Sequence, residues 1–174
     1  MTPLLNRDIR ARQLALIRRA TSVDIASYNV HIPRLQEFLL CPRTRLLVGA
    51  PEVSGERQAT ITSTIRSVAS GFPKVAVRVL LGSHIKLMIC NLGAGKQIAI
   101  VGSQNLGLGH PFELAVELQG KDSGQLSSIF NRLWRVAQPV KSLDMKAVSS
   151  ALASGVFESS SSSFSTSTQR NSCK

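Results

Sequence analysis

Apolar and polar positions follow two rhythms along this chain. In residues 7–20, Ile9, Leu16, Ile17 and Ala20 fall roughly on one face of a 3.6-residue repeat, and Arg10, Arg12, Arg18 and Arg19 lie largely off it. That spacing predicts an amphipathic helix. VDIASYNV (23–30) reads as a strand leading into a loop, and a short helix is expected over 33–40. RLLVGA (45–50) is a nearly continuous apolar run, as a strand buried on both faces requires. After a loop at Pro51–Gly55, residues 56–70 place Ile61, Ile65 and Val68 at helical spacing, and GFP (71–73) ends that helix.

The rhythm then changes to period two. KVAVRVLL (74–81) alternates at Val75, Val77 and Val79. HIKLMIC (84–90) and QIAIVGS (97–103) flank the glycine-rich NLGAGK, a pattern that predicts a hairpin. PFELAVEL (111–118) reads as a further strand. Residues 123–138 carry the strongest helical pattern, with Leu126, Ile129, Phe130, Leu133, Val136 and Ala137 on one face and Pro139 as the stop. The order of elements predicts an α/β sandwich, a mixed sheet flanked by helices. One domain is expected over residues 1–140, and 141–174 are expected to be a disordered tail, Ser/Thr-rich from Ser154 onward.

Composition narrows the function. The 174 residues suit one core, and 43% hydrophobic residues suffice to fill it. The 21 Lys+Arg against 10 Asp+Glu give a net charge of +11, which favours a polyanionic partner, nucleic acid or an anionic membrane surface. Aromatics at 5% argue against a surface built on base stacking. No apolar run approaches the roughly 20 residues of a membrane span, and Arg and Asp interrupt the N-terminal stretch where a signal sequence would be apolar. Cys41, Cys90 and Cys173 are odd in number and far apart, which fits free thiols in a reducing compartment. A cytoplasmic protein is expected. From Arg57 to Phe112 there is no acidic residue, while Arg57, Arg66, Lys74, Arg78, Lys86 and Lys96 lie in that span.

Inside that span lie the residues suited to chemistry. His84 and Lys86 stand two apart on an expected strand, so their side chains share a face. An imidazole beside an ammonium suits a phosphate: the one can attack or donate a proton, the other neutralises oxygen charge. Ser103 and Asn105, at the end of the next strand, are also two apart and can donate to phosphate oxygens. Glu113 opens the following strand and can hold an imidazole in one tautomer. Glu117 shares its face and reads as solvent-facing, as do His31, His110 and the four arginines of the first helix. Gly93-Ala94-Gly95-Lys96 fails as a phosphate loop, because Cys90 and Gln97 stand where that motif needs Gly and Ser or Thr. Trp134 reads as a packing residue of the last helix.

His84-Ile85-Lys86, then Gly102-Ser103-Gln104-Asn105, then Glu113, resembles the HKD signature of the phospholipase D superfamily over roughly residues 7–138. The resemblance implies a phospholipase-D-like fold with one motif copy per chain. It implies metal-free phosphodiester cleavage with no cofactor, through a covalent phosphohistidine. His84 would be the nucleophile or acid, Lys86 and Asn105 the phosphate clamps, and Glu113 the partner of His84. Ser103 and Gly102 would line the substrate. Since two motifs make one site, it implies a homodimer with the site on the two-fold axis. Asn91 departs from the pattern: it stands where the family carries Asp, keeping the shape and losing the charge. Small size, one motif and positive charge favour a nuclease on DNA or RNA, with a membrane partner disfavoured. The alternatives are an enzyme acting on lipid phosphodiesters and a nucleic-acid-binding module without catalysis.

Overall fold

The computed structural model describes residues 1–5, 7–28, 36–41, 43–50, 56–105 and 113–140. His31, His110, the loop 51–55 and the serine-rich tail lie outside them. The elements are β1 (Thr2–Leu5), α1 (Arg7–Ile17), β2 (Ser22–Ser27), β3 (Thr44–Ala50), α2 (Glu56–Gly71), β4 (Val75–Leu81), β5 (Leu87–Asn91), β6 (Gln97–Gly102), β7 (Leu114–Gln119), α3 (Lys121–Val136) and β8 (Gln138–Pro139). A helical turn spans 36–38 within the short helix expected there.

The strands form one eight-stranded mixed sheet in the order β1-β7-β6-β5-β2-β3-β4-β8. β2, β3 and β4 are mutually parallel, and every other pair is antiparallel. The hairpin of β5 and β6 closes through Gly93, Ala94 and Gly95, all at positive φ, with Leu92 N–H donating to the Lys96 carbonyl. Two glycines supply that backbone without strain. β1 and β8 carry no period-two signal, because each is short and lies at a sheet edge.

Alternation along the central strands builds two cores. Val23, Ile25, Leu46, Val48, Met88, Cys90, Ile98 and Ile100 meet Ile9, Leu16 and Ile17 of α1 and Ile65 and Val68 of α2. Ala26, Leu47, Leu87, Ile89 and Ala99 meet Phe130, Leu126, Leu133 and Trp134 of α3 on the opposite face. The sheet is therefore covered on both sides, which is why RLLVGA is apolar at consecutive positions. Burial pushes the Cys90 thiol up to about 12, so it is a packing residue rather than a nucleophile.

Charges within these layers are paired. Asp24 is 5% exposed and faces the α3 layer, where Arg45 donates to both its oxygens at 2.6 Å and to Asn131 at 2.9 Å. The Arg45 guanidinium also lies 5.0 Å from the centre of the Phe130 ring. On the other face Glu117 is buried and receives two hydrogen bonds from Arg12, at 2.6 and 2.9 Å. The solvent-facing reading of Glu117 is thus corrected. The Arg12 hydrogen bonds hold the Glu117 carboxyl below its ordinary value and raise the guanidinium in turn. Arg10 is paired as well, with Glu37 at 2.6 Å. The solvent-facing reading therefore holds for Arg18 and Arg19, which follow α1, while Arg10 and Arg12 are committed to carboxylates.

Candidate active site

Five strand ends meet at one end of the sheet. The C-termini of β2, β3 and β6 and the N-termini of β5 and β7 converge there, and these ends and the segments beside them carry His84, Lys86, Gly102, Ser103, Asn105 and Glu113. In open α/β sheets, ligands bind beyond the carboxyl ends of the parallel strands, and this is that end of β2 and β3.

His84, Ile85 and Lys86 precede β5 instead of forming its first residues; Lys86 falls opposite Ser27, the last residue of β2, and His84 lies beyond that strand's end. The alternation expected of them persists. Ile85 packs with Leu87 and Ile89 against the α3 layer. Lys86 turns to the α1 side, where it lines a small cleft with Ile9, Gln13, Met88, Gly102 and Gln104. Its ammonium donates to the His84 carbonyl at 2.9 Å and lies 5.3 Å from the centre of the Tyr28 ring. The His84 imidazole is exposed and stacks on that same ring at a centroid distance of 3.8 Å.

β6 brings the second half of the motif alongside. Gly102 N–H donates to the Lys86 carbonyl at 3.2 Å, so the Gly-Ser-x-Asn segment starts directly beside Lys86. A Cβ on Gly102 would lie 2.4 Å from the Leu114 carbonyl oxygen and 2.7 Å from the Ala115 Cβ, so only glycine permits this approach of β6 to β7. Ser103 N–H donates to the Leu114 carbonyl at 3.0 Å, and its hydroxyl accepts from Leu114 N–H at 3.1 Å. That hydroxyl also donates to the carboxylate of Glu113, which is buried. Asn105 follows, half-buried, two residues beyond Ser103. The arrangement sets an imidazole, an ammonium, a hydroxyl bound to a carboxylate and a carboxamide on adjoining segments, a donor set suited to a tetrahedral oxyanion.

Asn91 sits at the opposite end of β5. Its Nδ2 donates to Ser22 Oγ at 2.8 Å and its Oδ1 accepts from Gln97 Nε2 at 2.7 Å, joining β5 to β2 and β6. Two residues of the site were not signalled by sequence. Tyr28 is the only tyrosine in the chain, and its contact with His84 depends on the register of β2 against β5. Gly49 lies under the His84 segment: a Cβ there would lie 2.0 Å from the Ser83 carbonyl oxygen and 3.0 Å from Tyr28 Cα. A glycine inside an apolar strand was the available signal, since it often marks a close backbone approach.

No family model matches the chain, and no curated protein matches it. Among solved structures, NucT from Helicobacter pylori superposes with a TM-score of 0.58 at 16% identity, over 79% of this chain and 97% of that one. TrmBL2, described as an archaeal chromatin protein with a novel mode of DNA binding, superposes with a TM-score of 0.51 at 11% identity, over 79% of this chain and 54% of that one. At these identities the likeness is one of fold. The chain has the mixed sheet flanked by helices that its order of elements predicts, and it shares that fold with these two structures.

Proposed function

We propose that this protein is a phosphodiesterase acting on nucleic acid, needing no metal ion, and working through a covalent phosphohistidine in a site shared by two copies of the chain. The observation that supports this is a chain of contacts at one end of the sheet: Lys86 holds the His84 carbonyl, the Lys86 carbonyl accepts from Gly102 N–H, and the adjoining Ser103 donates to Glu113. A nitrogen of His84 attacks phosphorus, the N–P bond forms and the P–O ester bond breaks. The leaving oxygen takes its proton from the partner subunit's His84. Water then attacks phosphorus, the N–P bond breaks, and the water's proton passes to that second imidazole. Lys86 and Asn105 hold the non-bridging oxygens, Ser103 and the Gly102 backbone line the substrate, and Glu113 orients His84. The net charge of +11 supports a polyanionic substrate, DNA or RNA. The likeness to TrmBL2 favours a second reading, a DNA-binding module without turnover.

The test is cleavage of labelled single- and double-stranded DNA and RNA in excess EDTA, with wild type beside His84→Ala. Cleavage that survives EDTA and falls by about a thousand-fold or more in His84→Ala is expected for loss of the nucleophile. Salt-sensitive binding without cleavage by a folded protein would support the second reading. Cleavage abolished by EDTA would refute the assignment of the site.

A further inference from the structure

Tyr28 has no task in the roles assigned above, yet it touches both His84 and Lys86 of the motif. Its ring and the His84 imidazole stack with centroids 3.8 Å apart and planes 19° from parallel. Lys86 Nζ lies 5.3 Å from the centre of the same ring while it holds the His84 carbonyl at 2.9 Å. The tyrosine follows β2 directly, and its Cα rests against Gly49 of β3. His84, by contrast, is exposed and precedes its strand. An exposed imidazole on such a segment would sample several χ1 and χ2 wells, and a productive attack needs one of them. The ring of Tyr28, fixed from the sheet, removes that freedom on one side, and Lys86 fixes the backbone of His84 on the other.

We propose that Tyr28 is a positioning residue: an aromatic platform that fixes the His84 ring and favours the positive charge that ring acquires as it bonds to phosphorus. This rests on the phosphohistidine reading. The face of a phenol ring holds a neutral imidazole by stacking and attracts a cationic one more strongly at the same distance. Its attraction therefore grows between the bound substrate and the transition state, which acts on kcat rather than on KM. The ring carries the effect and the hydroxyl does not, so phenylalanine serves equally and leucine does not.

Proton NMR and steady-state kinetics on the full chain test this together. The carbon-bound imidazole protons of His84, identified by their loss in His84→Gln, are expected upfield of an exposed histidine's because of the Tyr28 ring current. Tyr28→Phe keeps that shift, and Tyr28→Leu abolishes it. On a labelled oligonucleotide, Tyr28→Leu lowers kcat by about ten-fold or more and leaves KM within about two-fold, while Tyr28→Phe stays within about two-fold in both. A folded Tyr28→Leu with unchanged kcat would overturn the proposal. So would unshifted His84 signals in wild type, or a Tyr28→Phe variant as slow as His84→Gln; both can be read even if the leucine variant does not fold. Shifted signals in a wild-type protein that cleaves nothing would overturn the phosphodiesterase reading while leaving the platform. Unshifted signals in an active enzyme would do the reverse.

Discussion

Asn91 is where the chain departs from the signature it resembles, and its position shows what that costs. Five residues of strand separate it from Lys86, about 16 Å at the usual rise per residue. At that range a charge on Asn91 would be largely screened from a phosphate held by Lys86. Its side chain instead donates to Ser22 and accepts from Gln97. A carboxylate could accept from both partners, because the serine hydroxyl can turn and become the donor. Asn91→Asp is therefore expected to change kcat/KM by no more than about two-fold and stability by less than about 1 kcal/mol. Asn91→Leu leaves the Ser22 hydroxyl and the Gln97 amide without their partner, and should cost about 1–3 kcal/mol in urea unfolding. A large gain of activity in Asn91→Asp would mean that this position acts on the chemistry after all.

Elements matter here mainly through where they stop. β2 ends at Ser27, opposite Lys86, so His84 stands clear of the ladder, and Gly49 in β3 lets the Ser83 backbone cross above it. Gly49→Ala would put a methyl group 2.0 Å from the Ser83 carbonyl oxygen, a backbone atom that cannot swing aside. The variant is expected to keep its sheet, lose about 1–3 kcal/mol of stability and lose about a hundred-fold in kcat as His84 is displaced. Circular dichroism, urea unfolding and the cleavage assay read these separately; wild-type turnover would show that the His84 segment tolerates displacement. The same geometry explains what sequence could tell. RLLVGA, the LGAG hairpin and the 3.6-residue repeat of α3 are legible because each is a local pattern set by burial. Side-chain direction in HIKLMIC is legible too, since alternation survives beyond the ladder. The partners of Glu117, Tyr28 and Gly49 are not. Arg12 reaches Glu117 from 105 residues away, and the other two contacts come from strands brought together only by the sheet order.

At the scale of the whole molecule, the sheet does not offer its edges to a second copy. β1 and β8 are the edge strands, each short and each holding a proline, Pro3 and Pro139, which lacks a donor for further pairing. The site end is different. Leu114, beside Glu113, is 54% exposed, and its register partner Leu5 is 59% exposed, an apolar pair next to the motif. An assembly through that end would bring two copies of His84 together around one axis, as the phosphohistidine reading requires. Such a site has a quantitative signature when wild type is mixed with His84→Ala under conditions where subunits exchange. If every site needs two intact imidazoles, only wild-type pairs work, and activity follows the square of the wild-type fraction. An equal mixture should then retain about a quarter of the activity of undiluted wild type. Sites completed within one chain would instead retain about half, because each wild-type copy would work whatever its partner. Measured against total chain concentration, with sedimentation to show that dimers persist, a linear dependence would end the shared-site reading, while a quadratic one would show that neither copy is an enzyme alone.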